Sequence, residues 1–386
     1  MSLTYVEDIE TKVKPRIQKP EESLSMTLNQ PFVNTTSGSR KVLNNIQYQH
    51  AMNMVYAEPS TIVTGHEDRF GEVSSSVITA CGEYTCVAKI ERYSEYPGME
   101  YLLIFHEPVN NLLISVKRVP YHYNIQSFGY LYNNNVLDSI EVGDTIDSGT
   151  VLRTSMVIDD LGCRRDGANF VVLYCACGQT TEDGIIISES AAKKFSIANV
   201  DEVELRYNAN TAPLNLYGDD DEYKIMPDIG ETVKKGKLAA NRIEDRKNML
   251  YTMSQERLKK TLMSDTKYLI ETGAMVVDID VCCNDESILK ENPYYAQLYK
   301  YHLDKKRFCK EVVDTFEQLI VDYDICMDDV DYQLQELYDD SDKFLKGIQH
   351  IDKKIYNNTK VKVHTINITP AKVGDKITDR FGETNQ

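Results

Sequence analysis

The sequence has 386 residues, 42% hydrophobic and 27% charged, a balance that excludes collagen-like, mucin-like and wholly disordered chains. Its net charge is −17, from 43 basic and 60 acidic residues. That excludes a protein that coats nucleic acid through its own surface, though not a subunit that touches nucleic acid at one small basic spot. No apolar run approaches the roughly 18 residues of a membrane span, so no membrane association is expected. Residues Met1 to Pro15 lack the apolar core of a secretory signal. The nine Cys include no CxxC, so they read as buried, reduced thiols of a cytosolic protein, and no zinc is expected. At roughly 150 residues per domain, the length suits two or three domains.

Residues 1–30 are polar and broken by Pro15 and Pro20. Asn34, Thr35, Thr36 and Ser37 then offer N-cap side chains. The spacing of Val42, Leu43, Ile46 and Met52 predicts a helix with one apolar side, ending before Pro59. From about 60 to 160 the pattern is β, in short runs such as Val77 to Thr79, Tyr101 to Phe105 and Leu112 to Val119. Val142-Gly-Asp-Thr-Ile-Asp-Ser-Gly-Thr-Val-Leu152 has a near copy in Ile229-Gly-Glu-Thr-Val-Lys-Lys-Gly-Lys-Leu238, and both read as hairpins with glycines at the tight bends. The apolar run Asn169 to Cys177 predicts a buried strand, and Gly184 to Ile187 a second one.

Ser188 is placed to cap a short helix running to Phe195, with Lys193 and Lys194 near its C-terminal end. The acidic run Asp219 to Glu222 reads as a solvated loop. Residues 285–355 carry apolar positions at helical spacing (Val312, Phe316, Ile320; Leu334, Leu337) and predict two or three long helices. Near the end, Val361 and Val363 alternate with polar residues, and Ile366 and Ile368 alternate in the opposite phase, which predicts a β-bulge or a crossing between layers.

Three local features could carry chemistry. Glu182 and Asp183 form an acid pair in a turn between the two apolar runs, a donor set suited to a hard cation such as Mg²⁺, directly or through water. Lys376 follows Gly374-Asp375, with Arg380 four residues on, a pairing suited to phosphate. Arg40 begins the first predicted helix, where an anion is also favoured. Taken locally, each is ordinary surface: a solvent-facing turn, a charged loop, a solvated arginine. P-loop, dinucleotide-binding, zincin, serine-hydrolase and kinase signatures are missing from the sequence.

Taken in chain order, the motifs resemble the middle-to-late portion of the β subunit of multisubunit, DNA-dependent RNA polymerase. Ser39-Arg-Lys-Val-Leu43 with Gln47-Tyr-Gln49 resembles the family's NRALMG-NMQRQA helix, and Ile62-Val-Thr-Gly-His-Glu67 its PLVGTGME. Val142 to Leu152 and Gly230 to Leu238 are similar to the VGDxVxKGDVLADG and GDxVxxGDILVGK stretches. Asn169 to Ser190 resembles GYNFEDAILISE, with Thr180 and Thr181 in place of Asn and Phe. Thr272 to Asp280 resembles SGTVIDV, and Lys360 to Gly382 is similar to IKMVKVYIAxKRxIxPGDKMAGRHGNKG. The likeness runs from about residue 30 to 386, with divergent insertions at 200–225 and 285–355.

The resemblance implies an α+β, β-rich fold: half of a double-psi β-barrel with barrel-sandwich-like hairpin modules and a long helical insertion. The implied organisation is an N-terminal segment with an active-site-proximal helix (1–58), a β-rich module (59–150), the first part of the barrel (151–200), a flap-like β module (201–284), the helical insertion (285–356) and a truncated second part of the barrel (357–386). It also implies roles. Lys376 would contact phosphates of the RNA 3′ end or the incoming nucleotide. Glu182 and Asp183 would lie near the second Mg²⁺, Arg40 and Arg380 near substrate phosphates, and Gln47, Gln49 and Lys376 near nucleic acid.

The NADFDGD metal triad of the β′ subunit is absent from this sequence, so the resemblance implies a chain inactive by itself. Its implied partners are a β′-type subunit holding most of the Mg²⁺, the remaining β fragments, template DNA, the RNA transcript, nucleoside triphosphates and an initiation factor. Such split subunits occur in large-genome bacteriophage polymerases, which would place the protein in host cytoplasm or packaged in a virion. Some departures stand against catalysis. The RHGNKG segment reads Arg380-Phe-Gly-Glu-Thr-Asn385, and a second active-centre lysine falls on Ile368, with Lys372 nearby. The alternative is therefore a non-catalytic scaffold subunit with a degenerate polymerase β fold.

Overall fold

The computed structural model describes residues 30–33, 35–123, 129–159, 161–175, 178, 184–207, 211–243, 254–283, 285–347, 359–381 and 384–385. The fold is mixed α+β and strand-rich, and two of its sheets curl into half-barrels. The chain divides into a larger compact unit, 79–153 with 199–367, and a smaller one, 1–78 with 154–198 and 368–386. Among the described residues no helix is long and apolar enough to cross a membrane.

In the larger unit β2 (Tyr84–Glu91), β3 (Tyr101–Glu107), β4 (Leu112–Arg118) and β7 (Thr145–Ile146) form an antiparallel sheet in the order β4-β3-β2-β7. A second sheet runs β1-β8-β6-β5, from β1 (Ile78–Thr79), β5 (Tyr121–His122), β6 (Tyr130–Asn133) and β8 (Val151–Ser155). A third pairs β13 (Met275–Cys283) and β9 (Ile197–Tyr207) on either side of β14 (Thr359–Thr369), and a fourth runs β10 (Thr211–Pro213), β11 (Lys237–Ile243), β12 (Thr266–Leu269). The helices of this unit are the short α3 (Asn135–Asp138), α5 (Gln255–Lys259) and α6 (Glu286–Glu291), then α7 (Ala296–Asp322) and α8 (Tyr332–Leu345).

The expected helices at 285–355 prove central to the core. α7 has 27 residues, so it is about 40 Å long. Its N-terminal half buries Leu298 and Tyr301 with Tyr207, Val276, Val361 and Val363. Its C-terminal half buries Phe308, Val312, Phe316 and Leu319 with Ile90, Leu102, Ile104 and Leu113 of the β2-β3-β4 sheet, and with Leu334 of α8. One helix thus serves two apolar clusters, and its apolar periodicity is what lets each turn present a side chain inward.

Between these clusters lies an ionic network. Asp278 and Asp280 on β13 face Arg92, whose guanidinium donates to Asp280 Oδ1 at 3.0 Å and to Glu100 Oε1 at 3.0 Å. Lys305 of α7 reaches Asp280 at 2.8 Å, His364 bonds Asp278 at 3.0 Å, and Tyr93 donates to Asp278. Burial pushes the Asp278 carboxyl up, but Arg92 and the bonds from His364 and Tyr93 outweigh it and hold it well below the usual carboxylate range. Asp280 is held below its ordinary value in the same way, with burial opposed by Arg92 and Lys305. These two acids are therefore committed to structure.

The stretch for which a phase slip is predicted lies in β14. Thr359, Val361, Val363 and Thr365 are buried on one face and Ile366 is buried beside them, but Ile368 is exposed and Thr369 buried, so the expected lasting change of phase is not seen. The irregularity sits opposite, where the register with β13 jumps between Val276 and Asp278. Of the cysteines, the eight among the described residues are all free thiols, and Cys86, Cys283 and Cys309 are buried. Burial pushes the Cys86 thiol up to about 11, so it is an inert packing group.

In the smaller unit, α1 (Gly38–His50) is capped by Ser37, whose Oγ accepts from the Arg40 N–H at 3.5 Å. It stops at His50, short of the predicted end. Met54 bridges Ile197 and the Val55 N–H donates to Ser196 O, so sheet-like pairing captures the backbone that helical spacing would have continued. The predicted apolar side of α1 is not its inner side. Val42, Leu43 and Ile46 are exposed, and the buried position is Asn44. α2 (Phe70–Val73), α4 (Glu189–Lys194) and the terminal pair β15 (Ile377–Thr378) and β16 (Thr384–Asn385) complete the unit.

The buried strands predicted for 169–177 and 184–187 are corrected by the structure. Residues 170–175 and 184–187 join no ladder, and Val171, Val172, Leu173 and Tyr174 are exposed. Only the start of the run is tied down, by Asn169, which donates its N–H to Glu58 Oε2 at 2.9 Å and accepts from the Thr61 hydroxyl at 2.8 Å. The described residues of this unit supply no neighbouring strand, so strand propensity has nothing to pair with. Ala176 and Cys177, the end of the predicted run, lie outside the described residues.

Candidate functional site

The sequence-predicted site residues all fall within the three stretches that make up the smaller unit: Arg40, Gln47 and Gln49 in the first, Glu182 and Asp183 in the second, Lys376 and Arg380 in the third. Glu182 and Asp183 lie outside the described residues, as does the side chain of Gln49. Of the remaining four, Gln47 and Arg380 make contacts that span most of the chain's length.

Lys376 stands on a closed turn. In Lys372-Val-Gly-Asp375 the Asp375 N–H donates to Lys372 O at 3.1 Å, and the Asp375 carboxylate accepts from the Lys372 N–H at 2.7 Å. Gly374 has φ +97°, in the left-handed region that favours glycine. The turn is fixed to α4 by the Ala371 N–H, which donates to Ala192 O at 3.2 Å. Ser188 caps that helix as the sequence predicts, accepting from the Ala191 N–H at 3.1 Å. Lys376 is exposed and has no side-chain partner among the described residues.

The same turn occurs twice in the larger unit, in the two stretches read as hairpins. The hairpin reading itself is corrected, because β7 pairs β2 while β8 lies in the sheet of β1 and β6, and Thr232 bridges Met275 while β11 lies between β10 and β12. At Glu141-Val-Gly-Asp144 the Asp144 N–H donates to Glu141 O at 3.1 Å, and its carboxylate accepts from the Glu141 N–H at 2.8 Å. At Asp228-Ile-Gly-Glu231 the corresponding distances are both 3.0 Å. Gly143 and Gly230 have φ +100° and +84°. The next residue is Thr145 in one and Thr232 in the other, where the terminal turn has Lys376.

Beyond Lys376 the chain is laid across α1 and the 62–67 loop. The Thr378 hydroxyl donates to Gln47 Oε1 at 2.7 Å, and the Asn44 amide donates to Arg380 O. The Arg380 guanidinium donates to Ile62 O at 2.9 Å and lies 3.9 Å from Glu67 Oε1. Glu67 is buried and folds its own loop, accepting from the Thr64 and Gly65 N–H groups at 2.9 Å each. Burial pushes the Glu67 carboxyl up, but the backbone N–H groups outweigh it and hold it below its usual range, so it meets Arg380 as a carboxylate.

Two of the expected site residues thus have structural work. Gln47 receives Thr378, and Arg380 is a positioning residue that pins the segment after Lys376 to the 62–67 loop. Lys376 and Arg40 are the exposed cations of the set, Arg40 on the first turn of α1. A lysine presents a point charge and an arginine a planar fork of donors. Sequence reasoning missed Asn44 and Glu67 as organisers. Glu67 had a readable signal in the Thr64-x-x-Glu67 spacing, which resembles that of a capping box, whereas Asn44 follows Val42-Leu43 and precedes Ile46 with no polar pattern of its own.

Among the described residues no group of three or more His, Cys, Asp or Glu side chains is arranged to hold a metal ion. No family model matches the chain, and no curated protein matches it.

Proposed function

We propose that this chain is a β-subunit fragment of a multisubunit DNA-directed RNA polymerase, active only when joined to a β′-type subunit that carries the metal triad. The observation that carries the reading is that the 378–380 segment bonds to Asn44, Gln47, Ile62 and Glu67. These are three of the sequence stretches in which the resemblance lies, and they share one compact unit. In this reading the smaller unit contains half of a double-psi β-barrel, and Lys376 and Arg40 line the path of the nucleotide and RNA phosphates. Glu182 and Asp183 are assigned to the second Mg²⁺ by the resemblance, and template DNA, transcript and initiation factor are partners of the whole enzyme.

Phosphoryl transfer gives the protein little covalent work to do. The rate comes from in-line positioning and from cations that neutralise charge spreading over the phosphate oxygens. Bound Mg²⁺ supplies part of that neutralisation. The closed turn beneath Lys376 would hold its ammonium near those oxygens without reorganising when substrate arrives.

The test is single-nucleotide extension by the assembled polymerase carrying Lys376→Ala. Removing one such charge should slow addition on the order of 10²- to 10³-fold while leaving assembly intact. Extension at the wild-type rate would remove the site assignment and favour the scaffold reading, which expects Lys376, Glu182 and Asp183 to be replaceable without loss.

A further inference from the structure

We infer that Cys282 and Lys305 are a site of covalent modification by peroxide, at which the oxidised Cys282 sulfur is captured by the Lys305 amine and β13 becomes bonded to α7. Both residues belong to the larger unit, and neither takes part in the polymerase reading.

Distance comes first. Lys305 Nζ lies 3.2 Å from Cys282 Sγ. Atoms poised to react with one another stand about 3–3.5 Å apart. The lysine is held there from two sides. Asp280, two residues before Cys282 on the same face of β13, accepts from Lys305 at 2.8 Å through Oδ1 and at 3.0 Å through Oδ2. The Lys305 ammonium also lies 4.7 Å from the centroid of the Phe344 ring on α8. Of the eight cysteines among the described residues, Cys282 is the one whose sulfur accepts from a lysine.

Other fates for an oxidised Cys282 are less accessible. Its sequence neighbour Cys283 lies on the opposite face of β13, buried with Val281 and Leu289 in the apolar cluster, so a disulfide between the two would have to turn the strand over. Cys282 is itself partly exposed and the Lys305 side chain is 19% exposed, which leaves the pair open to a molecule as small as hydrogen peroxide. Burial and the Asp280 carboxylate hold the Cys282 thiol above its ordinary value, while Lys305 and Arg92 pull against them. Thiolate is therefore scarce at neutral pH, and the pair responds to sustained peroxide and not to a brief pulse.

The steps balance with hydrogen peroxide as the oxidant. The sulfur attacks one peroxide oxygen, the O–O bond breaks, and the leaving hydroxide takes the thiol proton to become water. Sulfur is oxidised by two electrons to a sulfenic acid, and the peroxide is reduced. Lys305 then gives one proton to solvent, and its nitrogen lone pair attacks the sulfenic sulfur. The N–S bond forms, the S–O bond breaks, and the departing hydroxide leaves as water with a second proton from that nitrogen. The product is a sulfenamide, the bond that a sulfenic acid also makes with a backbone nitrogen. It ties α7 to β13 and takes the lysine charge away from Asp280, which keeps Arg92.

The test treats the purified full-length chain with hydrogen peroxide, stops the reaction with catalase and maps the peptides by mass spectrometry. The expected product is a peptide pair joined at Cys282 and Lys305, lighter by two hydrogens than the sum of its parts and separated again by dithiothreitol. Lys305→Arg keeps a cation beside Asp280 and offers no nucleophilic amine. It should abolish the joined pair and raise labelling of Cys282 by the sulfenic-acid probe dimedone at least about tenfold.

Cys282 recovered as a sulfenic or sulfinic acid with Lys305 unmodified would overturn the inference. So would a Cys282 that stays a thiol while the exposed Cys81 and Cys326 oxidise. A joined pair that forms equally well in urea would also overturn it, because proximity in the fold would then play no part. The wild-type peptide map decides between these outcomes even if the arginine variant misfolds.

Discussion

α7 and α1 carry the same kind of sequence signal and meet opposite fates. In α7, Val312 and Phe316 are buried against the β2-β3-β4 sheet, while in α1, Val42, Leu43 and Ile46 face outward. Apolar periodicity identifies which face of a helix seeks cover, and whether the chain itself supplies that cover is decided by what lies next to it. The larger unit covers its own apolar faces. In the smaller unit the described residues leave Val42, Leu43 and Ile46 of α1 and the 171–174 run exposed.

That contrast can be broken most severely in the larger unit. Phe316→Ala should destabilise the chain by about 3–5 kcal/mol, read from the urea midpoint, because the cavity would open inside a packed cluster. A change within experimental error would mean that α7 is not a shared core element. Arg92→Met should cost a similar amount, about 3–5 kcal/mol, because Glu100, Asp278 and Asp280 lose their common counter-ion.

Acid should act on the same network. The folded-state carboxyls of Asp278 and Asp280 lie below their ordinary values, so the stability they contribute is complete above the unfolded value near pH 4 and is lost as pH falls below it. Asp278→Asn should flatten the pH dependence of the urea midpoint between about pH 5 and 2. An unchanged slope would show that the network is not what titrates.

Smaller effects are expected at the turns. At Gly374 and Gly230 an added Cβ would meet nothing within 4 Å, so Gly→Ala at either carries only the backbone cost of positive φ, about 1–2 kcal/mol locally. Gly374→Ala should therefore slow extension through a displaced Lys376 while barely moving the midpoint of the larger unit. Least of all, Ile46→Ser on the bare face of α1 should change the free chain's stability by no more than about 0.5 kcal/mol. A loss several times larger would mean that this face is covered within the chain.

Much of the fold could be read from local chemistry. The turn glycines, the Ser188 cap and the helical spacing of 312–337 follow from contacts a few residues apart. Two of the failures share a cause. The 169–177 run and the apolar side of α1 are sequences that expect cover, and the sequence cannot say whether cover comes from within the chain. The end of α1 was hidden for a related reason, since Val55 and Met54 are captured by residues 196–197, more than 140 positions away. In the candidate site the exposed cations were legible, while the role of Arg380 depends on Ile62 and Glu67 more than 300 residues upstream.

The turn that precedes Lys376 closes on itself. Its hydrogen bonds run from Asp375 to Lys372, and its two counterparts repeat them in other surroundings with threonine in the following place. Such a unit is a portable pedestal. The hydrogen bonds that close it do not involve the side chain mounted after the acid, so a different side chain there changes the chemistry displayed without removing a bond of the base. A lysine so mounted has only its own rotamers to order when an anion arrives, and three pedestals in one chain give selection three places to try a different group.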